Sequence, residues 1–570
     1  MRDERWANEE EKLDVLKAFG DKSAGGPILH THNGKLYIYS GEGHMLELGV
    51  SGSGKSRRGT IPMIRSFIES KESFVVVDPK GEIYYNTECY IGKEYDTKII
   101  NFRDLIYGYT DYWNPLDIIK DFYYSDNDEN KNYASVNLEE LAFSLYPIPP
   151  KADPFWAQSA RSLFIGAVYA LLDAAKPEHI NICNVYNLIA EGDSRFGAST
   201  YLKEFVGMLE PTSVAAIQLH SYITTADDTR GGIRSVFLEG ISMFARSEGL
   251  KMFSSYSDLY VNKLRGDKPT AIYIILPDES PVYDNLAGVL TSQLLNHYIR
   301  IAQKVYNGRL PIRLNVCLEE LGNIGGAITN LPHLMSAGRS RNIRVQMVLQ
   351  SYSQLRDIYG SSKATTIISN ADVLLAYRTN NWDTLRELSG KCGSRRNVDN
   401  GIKHTEPLIT ESQLGAMNTG QALVMISGRT KYIETFPDYT EMFDCSNWRP
   451  PKKKKSKMRN EPEMFDMKSV VKRKKQEMLD ATRESSSLWD APRLPVRSVV
   501  VDEKKQEAKK VGEPPLDLDD LIAKIDRQIA ELEAEERAEK EKEKKRNRRT
   551  KKDKQEEEPD DEHKKDDKDE

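Results

Sequence analysis

The feature that most constrains the fold of this chain is a glycine-rich loop, GVSGSGKS, at residues 49–56. It is a complete G-x-x-x-x-G-K-S phosphate-binding loop, and it follows an apolar stretch, HMLEL at residues 44–48, that can form a strand. The glycines let successive backbone N–H groups converge on phosphate oxygens, Lys55 neutralises the β- and γ-phosphates, and Ser56 offers a hydroxyl group to Mg²⁺. The loop therefore predicts a site for ATP or GTP with Mg²⁺. The predicted nucleotide-binding residues are Gly49, Ser51, Gly52, Ser53, Gly54, Lys55 and Ser56.

The strand pattern around this loop predicts an α/β fold. Seven further apolar runs resemble buried strands, at residues 74–77, 98–101, 271–276, 312–318, 345–349, 373–377 and 422–426. Helical patterns separate several of them, which is typical of a doubly wound, mostly parallel sheet. A helix is expected to start at Lys55, and Pro62 should end or kink it.

The strand signal fades between residues 117 and 235. A run of apolar residues spaced three and four apart, from Phe155 to Leu171, indicates an amphipathic or buried helix. We expect an all-α domain, residues 117–235, inserted into a sheet domain formed by residues 1–116 and 236–445. The alternative is that these helices simply flank the sheet.

Composition limits the remaining choices. A chain of 570 residues is too long for one hydrophobic core, and its net charge of −6 means that any nucleic-acid contact must come from a local patch or channel. The five cysteines are scattered without a C-x-x-C pair, so their spacing predicts neither a zinc site nor a disulfide framework. The apolar runs are too short to span a bilayer and the first residues lack the apolar core of a signal peptide, so a cytoplasmic location is expected.

Residues 446–570 are mostly lysine, glutamate, aspartate and arginine, and we expect them to be largely disordered. One part differs, because it has a narrow apolar stripe that predicts an amphipathic helix near residues 517–545. The stripe consists of Leu518, Leu521, Ile522, Ile525, Ile529 and Leu532.

A second group of polar residues completes the predicted nucleotide site. Glu319 and Glu320 follow the apolar run 312–318, which we expect to neighbour the strand before the phosphate loop. The first acid would hold Mg²⁺ through water, and the second would orient or deprotonate the attacking water. Gln350 ends the next strand and can sense the γ-phosphate. Arg339 or Arg341 could reach a neighbouring subunit's nucleotide, although surface salt bridges are the simpler role for both.

Four stretches of the chain resemble the type IV coupling proteins of conjugation systems, the TraG-like hexameric DNA-pumping ATPases. They are HMLELGVSGSGKS at residues 44–56, VVVDPKGE at 75–82, WNPLD at 113–117 and the long block LEELGNIGGAITNLPHLMSAGRSRNIRVQMVLQSYSQLRDIYG at 318–360. The resemblance covers about residues 40–445. It implies a RecA-like P-loop NTPase fold with an inserted all-α domain, and ATP with Mg²⁺ as cofactors.

By this resemblance Glu319 and Glu320 occupy the Walker B positions, with Glu320 and Gln350 catalytic and Arg339 the arginine acting in trans. Two features depart from the family. Glu319 stands where the family usually has aspartate, and its extra methylene group shifts the carboxylate. The family also usually begins with transmembrane helices, whereas only about 40 mostly polar residues precede the first strand here.

The resemblance implies an ATPase that recruits relaxase-bound, single-stranded DNA and feeds it into a type IV secretion channel as a homo-hexamer. A separate membrane-anchoring protein would hold it at the inner face of the cell membrane. Two alternatives stay open: a double-stranded DNA translocase of the FtsK type, and a non-catalytic adaptor that binds nucleotide and presents cargo. Arg230 and Arg234 are equally plausible as nucleotide or DNA contacts and as stabilising charges.

Overall fold

The computed structural model describes residues 4–20, 24–105, 110–148, 151–324, 328, 330–399, 402–451 and 459–489. The packing reported below lies within the first of two units, residues 1–485. The helix predicted near residues 517–545 lies outside the described residues.

Within the described residues the strands form one large sheet and three small ones. In chain order they are β1 Lys17–Ala18, β2 Ile28–His32, β3 Lys35–Ile38, β4 His44–Leu48, β5 Ser73–Asp78, β6 Asp96–Asn101, β7 Arg195–Phe196, β8 Ser199–Thr200, β9 Thr270–Ile275, β10 Leu314–Leu318, β11 Ile343–Leu349, β12 Ala371–Tyr377, β13 Ser394–Asp399, β14 Ile402–Pro407, β15 Gln421–Ile426 and β16 Tyr432–Thr435. All eight strands predicted from the sequence are present in the large sheet.

The large sheet has nine strands in the order β16-β15-β12-β4-β11-β10-β5-β9-β6. The seven strands from β12 to β6 run parallel, and β15 and β16 add an antiparallel edge. Successive side chains of β5 enter different cores, with Val75 and Val77 on one face and Phe74 and Val76 on the other. A strand covered on both faces needs an unbroken apolar run, which is why sequence pattern located these strands correctly.

The strand order corrects one expectation. The strand that carries Glu319, β10, is not the neighbour of the loop strand β4, because β11 lies between them. The connections between parallel strands pass over the faces of the sheet, so the order of strands along the chain does not fix their order in the sheet. All three strands still end at the same edge.

Nineteen α-helices are found in the described residues. They are α1 Glu9–Leu13, α2 Ile61–Glu69, α3 Glu82–Thr87, α4 Asp117–Tyr123, α5 Asp128–Leu145, α6 Pro154–Ala174, α7 Ile182–Gly192, α8 Tyr201–Val206, α9 Val214–Thr224, α10 Asp227–Arg246, α11 Glu248–Ser255, α12 Asp284–Val305, α13 Leu321–Ile324, α14 Leu331–Gly338, α15 Tyr352–Asn370, α16 Trp382–Cys392, α17 Glu411–Gly415, α18 Tyr439–Met442 and α19 Met467–Trp489. None of the described helices combines the length and apolar character that a bilayer span requires.

The helix after the phosphate loop does not end at Pro62. Residues Lys55–Thr60 form a π-helical turn, and α2 continues from Ile61 with Pro62 in its first turn. The first turn tolerates proline, because an N–H group there needs no partner within an α-helix. The proline therefore coincides with a change of helix type rather than with the end of the helix.

A helical segment, α4 to α11, connects β6 to β9, and among its described residues the only strands are the short pair β7 and β8. The boundary predicted at residue 235 falls inside α10, because the buried face of that helix continues through Phe237, Ile241 and Phe244. One hydrophobic cluster includes residues of this segment and of the sheet, such as Phe164 and Val75. The inserted all-α domain remains a proposal with a later boundary, near residue 263.

The charged tail does not begin as predicted. Residues 459–471 pack on the helical segment, where Met467 and Val471 at the start of α19 are buried. These two apolar side chains are four residues apart and therefore lie on one face of the helix. In the sequence, the surrounding lysines make this short apolar pattern difficult to recognise. Residues 490–570 lie outside the described part of the chain.

Candidate nucleotide-binding site

The predicted phosphate loop connects the carboxyl end of β4 to the π-helical turn. Gly52 (φ 75°) and Gly54 (φ 105°) adopt left-handed backbone conformations that other residues rarely adopt. A Cβ atom at Gly49 would lie 2.6 Å from Ser53 Oγ and 2.9 Å from Tyr377 Cβ. The glycines are therefore required by the backbone geometry of the loop, as the motif predicts.

The first two residues of the loop are held by backbone contacts to β11 and to the residue after β12. The Gly49 N–H donates to the Leu349 carbonyl (3.0 Å), and the Val50 N–H donates to the Arg378 carbonyl (3.0 Å). Lys55 Nζ donates to the carbonyls of Gly49 (2.6 Å) and Val50 (3.1 Å), so the ammonium group lies at the mouth of the loop. Burial lowers the pKa of Lys55, against the effect of the nearby carboxylates.

Glu319 lies beneath the loop at the end of β10 and is buried. Burial raises the pKa of Glu319, and the nearby hydroxyl groups of Ser56 and Thr60 act in the opposite direction. Its Oε1 atom has no hydrogen-bond partner among the described residues. Oxygen ligands are those that Mg²⁺ prefers, and a buried carboxylate oxygen without a partner beside a serine hydroxyl fits that ion. Ser56 and Glu319 are thus suited to hold Mg²⁺.

Glu320 has a left-handed backbone conformation (φ 59°) that places its side chain toward Gln350. Gln350 Nε2 lies 3.4 Å from Glu320 Oε1. Both side chains line the same cavity as Lys55 and Ser56. Non-glycine residues in this conformation cost free energy and are often found at functional sites. The predicted acid and glutamine are therefore brought together across the ends of β10 and β11.

Two buried carboxyl groups at this edge were not predicted from the sequence. Burial, and then the charge of Glu319, raises the pKa of Glu47 to about 8. Burial likewise raises the pKa of Asp78 to about 7, despite the backbone N–H group of Tyr84 that donates to it. Strongly shifted pKa values in a cleft mark candidate functional groups. A polar residue within an apolar strand was the available signal for Glu47.

A cavity of about 450 Å³ opens beside the loop, which is ample for a nucleotide. Its outer wall includes Arg57, which forms a two-point salt bridge with Asp438 (2.7 and 2.8 Å) and lies over the ring of Tyr439. No motif in the sequence pointed to Asp438. It lies in the chain that follows β16, where Arg58 Nη1 donates to the Phe436 carbonyl (2.6 Å). The cavity is lined by Ser51, Gly52, Gly54, Lys55, Ser56, Arg57, Arg58, Asp78, Pro79, Lys80, Glu82, Ile83, Glu319, Glu320, Val348, Leu349, Gln350, Thr419 and Asp438.

The predicted arginines lie elsewhere. Arg339 precedes β11, at the edge of the sheet opposite to the loop, and pairs with Asp372 at 3.0 Å. It does not line the cavity of its own chain. Arg230 pairs with Asp227 at 2.8 Å and Arg234 with Asp193 at 3.2 Å, contacts that favour a stabilising role for both.

Comparison with known proteins gives consistent results. The profile of the family described as "Type IV secretory system Conjugative DNA transfer" matches residues 6–432. Two Escherichia coli relatives, both described as conjugal transfer protein TraG, are 22% identical over 396 and 381 residues, which are 67% and 64% of this chain. This chain spans only 59% and 57% of the lengths of those relatives.

Solved structures with the same fold include a bacterial conjugative coupling protein, TrwBdeltaN70, in its unbound form. The TM-score between the two structures is 0.58, at 16% sequence identity. The superposition covers 79% of this chain and 96% of the coupling protein. The plasmid coupling protein TrwB in complex with ADP and Mg²⁺ has a TM-score of 0.58 at 15% identity, covering 79% and 95%. Together with the mostly parallel sheet, this likeness confirms the predicted RecA-like P-loop NTPase fold.

Proposed function

Because this chain belongs to the family of type IV secretory system conjugative DNA transfer proteins, we propose that it is an ATP-driven coupling protein that moves DNA toward a secretion channel. The observation that carries this proposal is the meeting of Lys55, Ser56, Glu319, Glu320 and Gln350 around one cavity at the end of the parallel strands. Ligands of open α/β sheets bind at this edge. A family of DNA-transfer proteins with such a site is expected to couple hydrolysis to transport.

The side chains have distinct roles in this proposal. Lys55 and the loop amides bind the phosphates, and Ser56 and Glu319 hold Mg²⁺, which neutralises phosphate charge when bound. Glu320 orients the attacking water and accepts its proton, and Gln350 contacts the γ-phosphate or that water. A TrwB structure with ADP and Mg²⁺ supports the choice of ligands.

The family supports a proposal for the substrate and the partners. We expect relaxase-bound, single-stranded DNA as cargo, components of the secretion channel as partners, and a homo-hexamer as the working assembly. Contacts to the DNA backbone would be independent of sequence and sensitive to salt. We expect the chain to act at the inner face of the cell membrane.

The decisive experiment is ATP hydrolysis by the full chain with and without single- or double-stranded DNA. We expect stimulation, with single-stranded DNA the stronger activator. Lys55→Ala should lose nucleotide binding and hydrolysis together. Glu320→Gln should keep binding but lose turnover by a factor of about 10²–10⁴, as removal of a general base does.

Exposed residues provide matched controls. Lys363→Ala and Glu139→Gln change the same residue types on exposed helical surface and should leave turnover unchanged. Turnover stimulated only by double-stranded DNA would favour the FtsK-type translocase. If the unmodified chain binds ATP but does not hydrolyse it with any DNA, the result would favour the non-catalytic adaptor and exclude the ATP-driven function.

A further inference from the structure

A cluster of two imidazoles and a carboxylate lies away from the nucleotide cavity, where α1 meets the small sheet of β1 to β3. Glu9 comes from α1, and His30 and His32 come from β2, where alternate residues project from the same face. The Glu9 Oε1, His30 Nε2 and His32 Nδ1 atoms all lie within 4.8 Å of one another. Glu9 Oε1 is in hydrogen-bond contact with His30 Nε2 and lies 2.9 Å from His32 Nδ1.

The second ring nitrogen of each histidine is already occupied. His30 Nδ1 lies 2.8 Å from the buried Glu434 carboxylate on β16, which also accepts a bond from Thr31 Oγ1. His32 Nε2 lies 2.8 Å from Asn33 Nδ2. A carboxylate on the far nitrogen fixes the tautomer of a metal-binding histidine and increases the basicity of the near nitrogen. The Glu434 carboxylate therefore serves as an outer-shell partner of His30, and His32 gains one when the Asn33 amide rotates to present its oxygen to Nε2.

Charge and access are also favourable. Glu9 and Glu434 bring two negative charges, and Lys12 Nζ, 3.2 Å from Glu9 Oε2 and 3.6 Å from Glu434 Oε2, compensates for one of them. His30 is buried, but the side chains of Glu9 and His32 are 41% and 35% exposed, which leaves a path from solvent. A Zn²⁺ ion bound among these atoms would displace the protons that the imidazoles share with these carboxylates.

We propose that Glu9, His30 and His32 bind one Zn²⁺ ion, with water as the fourth ligand. Two imidazoles and one carboxylate are a ligand set that zinc accepts in tetrahedral sites. Sequence spacing did not predict these ligands, because about 20 residues separate Glu9 from the histidines and the cysteines show no metal-binding pattern. In the absence of metal the same groups form a hydrogen-bonded cluster, so small side-chain shifts suffice to admit the ion.

A bound ion would connect the segment that contains α1 to the β16 edge of the large sheet. Its outer-shell residue, Glu434, belongs to β16. The residue Ala7, just before α1, also contacts the chain next to that strand, because its N–H donates to the Lys431 carbonyl (2.9 Å). Zinc binding would therefore stabilise the contact between residues 4–14 and the antiparallel edge. Nucleotide binding does not depend on it.

The test uses the full chain without a histidine tag, treated with a chelator and then titrated with ZnCl₂ or CoCl₂. We expect one saturable site per chain by calorimetry, and with Co²⁺ a visible absorption band typical of tetrahedral coordination. Glu9→Gln and His32→Gln should each weaken Zn²⁺ binding at least tenfold. Glu434→Gln, an outer-shell change, should weaken it by a factor of about 10–100 without abolishing the stoichiometry.

Matched controls are Glu10→Gln, an exposed neighbour of Glu9 on the same helix, and His220→Gln, an exposed histidine on α9. Both should bind Zn²⁺ as the unmodified chain does. Lys55→Ala should also bind Zn²⁺ normally, which separates this site from the proposed ATPase. Absence of stoichiometric binding, or equal binding by Glu9→Gln and Glu10→Gln, would overturn the proposal, and circular dichroism would verify that each variant is folded.

Discussion

At the scale of single residues, the carboxyl groups beneath the phosphate loop have unequal environments. Glu47 is fully buried and accepts a hydrogen bond from Gln346 Nε2 at 2.7 Å, while Glu319 is held beside the loop hydroxyl groups. Low-dielectric surroundings disfavour two neighbouring charged carboxylates. We expect Glu47 to carry a proton near neutral pH, which leaves the negative charge with Glu319.

The protonation of Glu47 predicts a dependence of stability on pH. Its pKa is about 8 in the folded chain, whereas an unfolded glutamate has a pKa of about 4.3. Between these two pH values the folded state keeps a proton that the unfolded state has lost. The free energy of unfolding of the parent therefore falls as pH rises from about 4.3 to about 8. Glu47→Gln removes the titration, so urea unfolding should show the variant gaining stability relative to the parent across that range.

Glu139→Gln, on exposed helical surface, is the control and should show no such trend. A difference between Glu47→Gln and the parent that is constant from pH 5 to pH 8 would contradict the predicted proton.

The length of the Glu319 side chain predicts the response to Mg²⁺. The family usually has aspartate here, but in this chain the longer side chain brings its carboxyl group near the hydroxyl groups of Ser56 and Thr60. Glu319→Asp would withdraw the carboxylate from both hydroxyl groups. Because the proposed contact to the ion is through water, we expect the Mg²⁺ concentration for half-maximal turnover to rise by a factor of about 10–100. An unchanged or lower Mg²⁺ requirement would show that the extra methylene group has no role.

At the scale of secondary-structure elements, the segment 459–471 is attached to the helical segment by both backbone and side-chain contacts. The Phe465 N–H donates to Asn184 Oδ1 (2.8 Å), and Asn184 Nδ2 donates to the Glu463 carbonyl (3.1 Å). Salt bridges from Lys468 to Glu191 (3.0 Å) and from Lys475 to Glu204 (2.6 Å) continue this contact along α19. Exposed salt bridges contribute little, so the apolar face of the helix should dominate the attachment.

A charge placed on that face should detach the segment. Val471 is fully buried, and Val471→Asp would bury a carboxylate without a partner unless the helix start moves away. We expect faster hydrogen exchange at residues 459–475, by at least tenfold, with little change in the exchange of the sheet. Leu479→Asp alters a side chain that is 55% exposed on the same helix and should leave exchange unaltered.

At the scale of the whole molecule, the position of Arg339 bears on assembly. The seven residues of β11 separate it from the cavity edge, a distance of roughly 20 Å. If Arg339 acts on a nucleotide, that nucleotide must belong to another subunit. Head-to-tail contacts of this kind close into rings, in agreement with the proposed hexamer.

Mixing two inactive variants tests this arrangement. Arg339→Ala and Lys55→Ala should each lose turnover alone, whereas an equal mixture should recover up to roughly a quarter of parental activity, because one interface in four is then complete. Lys55→Ala mixed with Glu320→Gln should recover nothing, since both residues belong to one chain's side of the site. Loss of turnover by Arg341→Ala alone, with recovery in a mixture with Lys55→Ala, would assign the role to Arg341 instead.

The sequence by itself determined the local features of this protein. The doubly apolar runs located the parallel strands, because strands buried on both faces need such runs, and the glycine pattern located the loop, because its backbone conformation requires glycine. These patterns extend over only a few residues, so they do not depend on how the rest of the chain is arranged. The acid pair and Gln350 were predicted for the same reason, since each directly follows a buried strand.

Features that require contact between residues far apart in the chain were decided only by the tertiary structure. It placed β11 between β4 and β10, brought Glu47 and Asp78 beneath the loop, and carried Asp438 to the wall of the cavity. It also packed the start of α19 against helices that lie over 200 residues earlier. The physical reason is that strand order, burial and pKa are set by packing between segments far apart in the chain, and periodicity carries no information about which segments pack together.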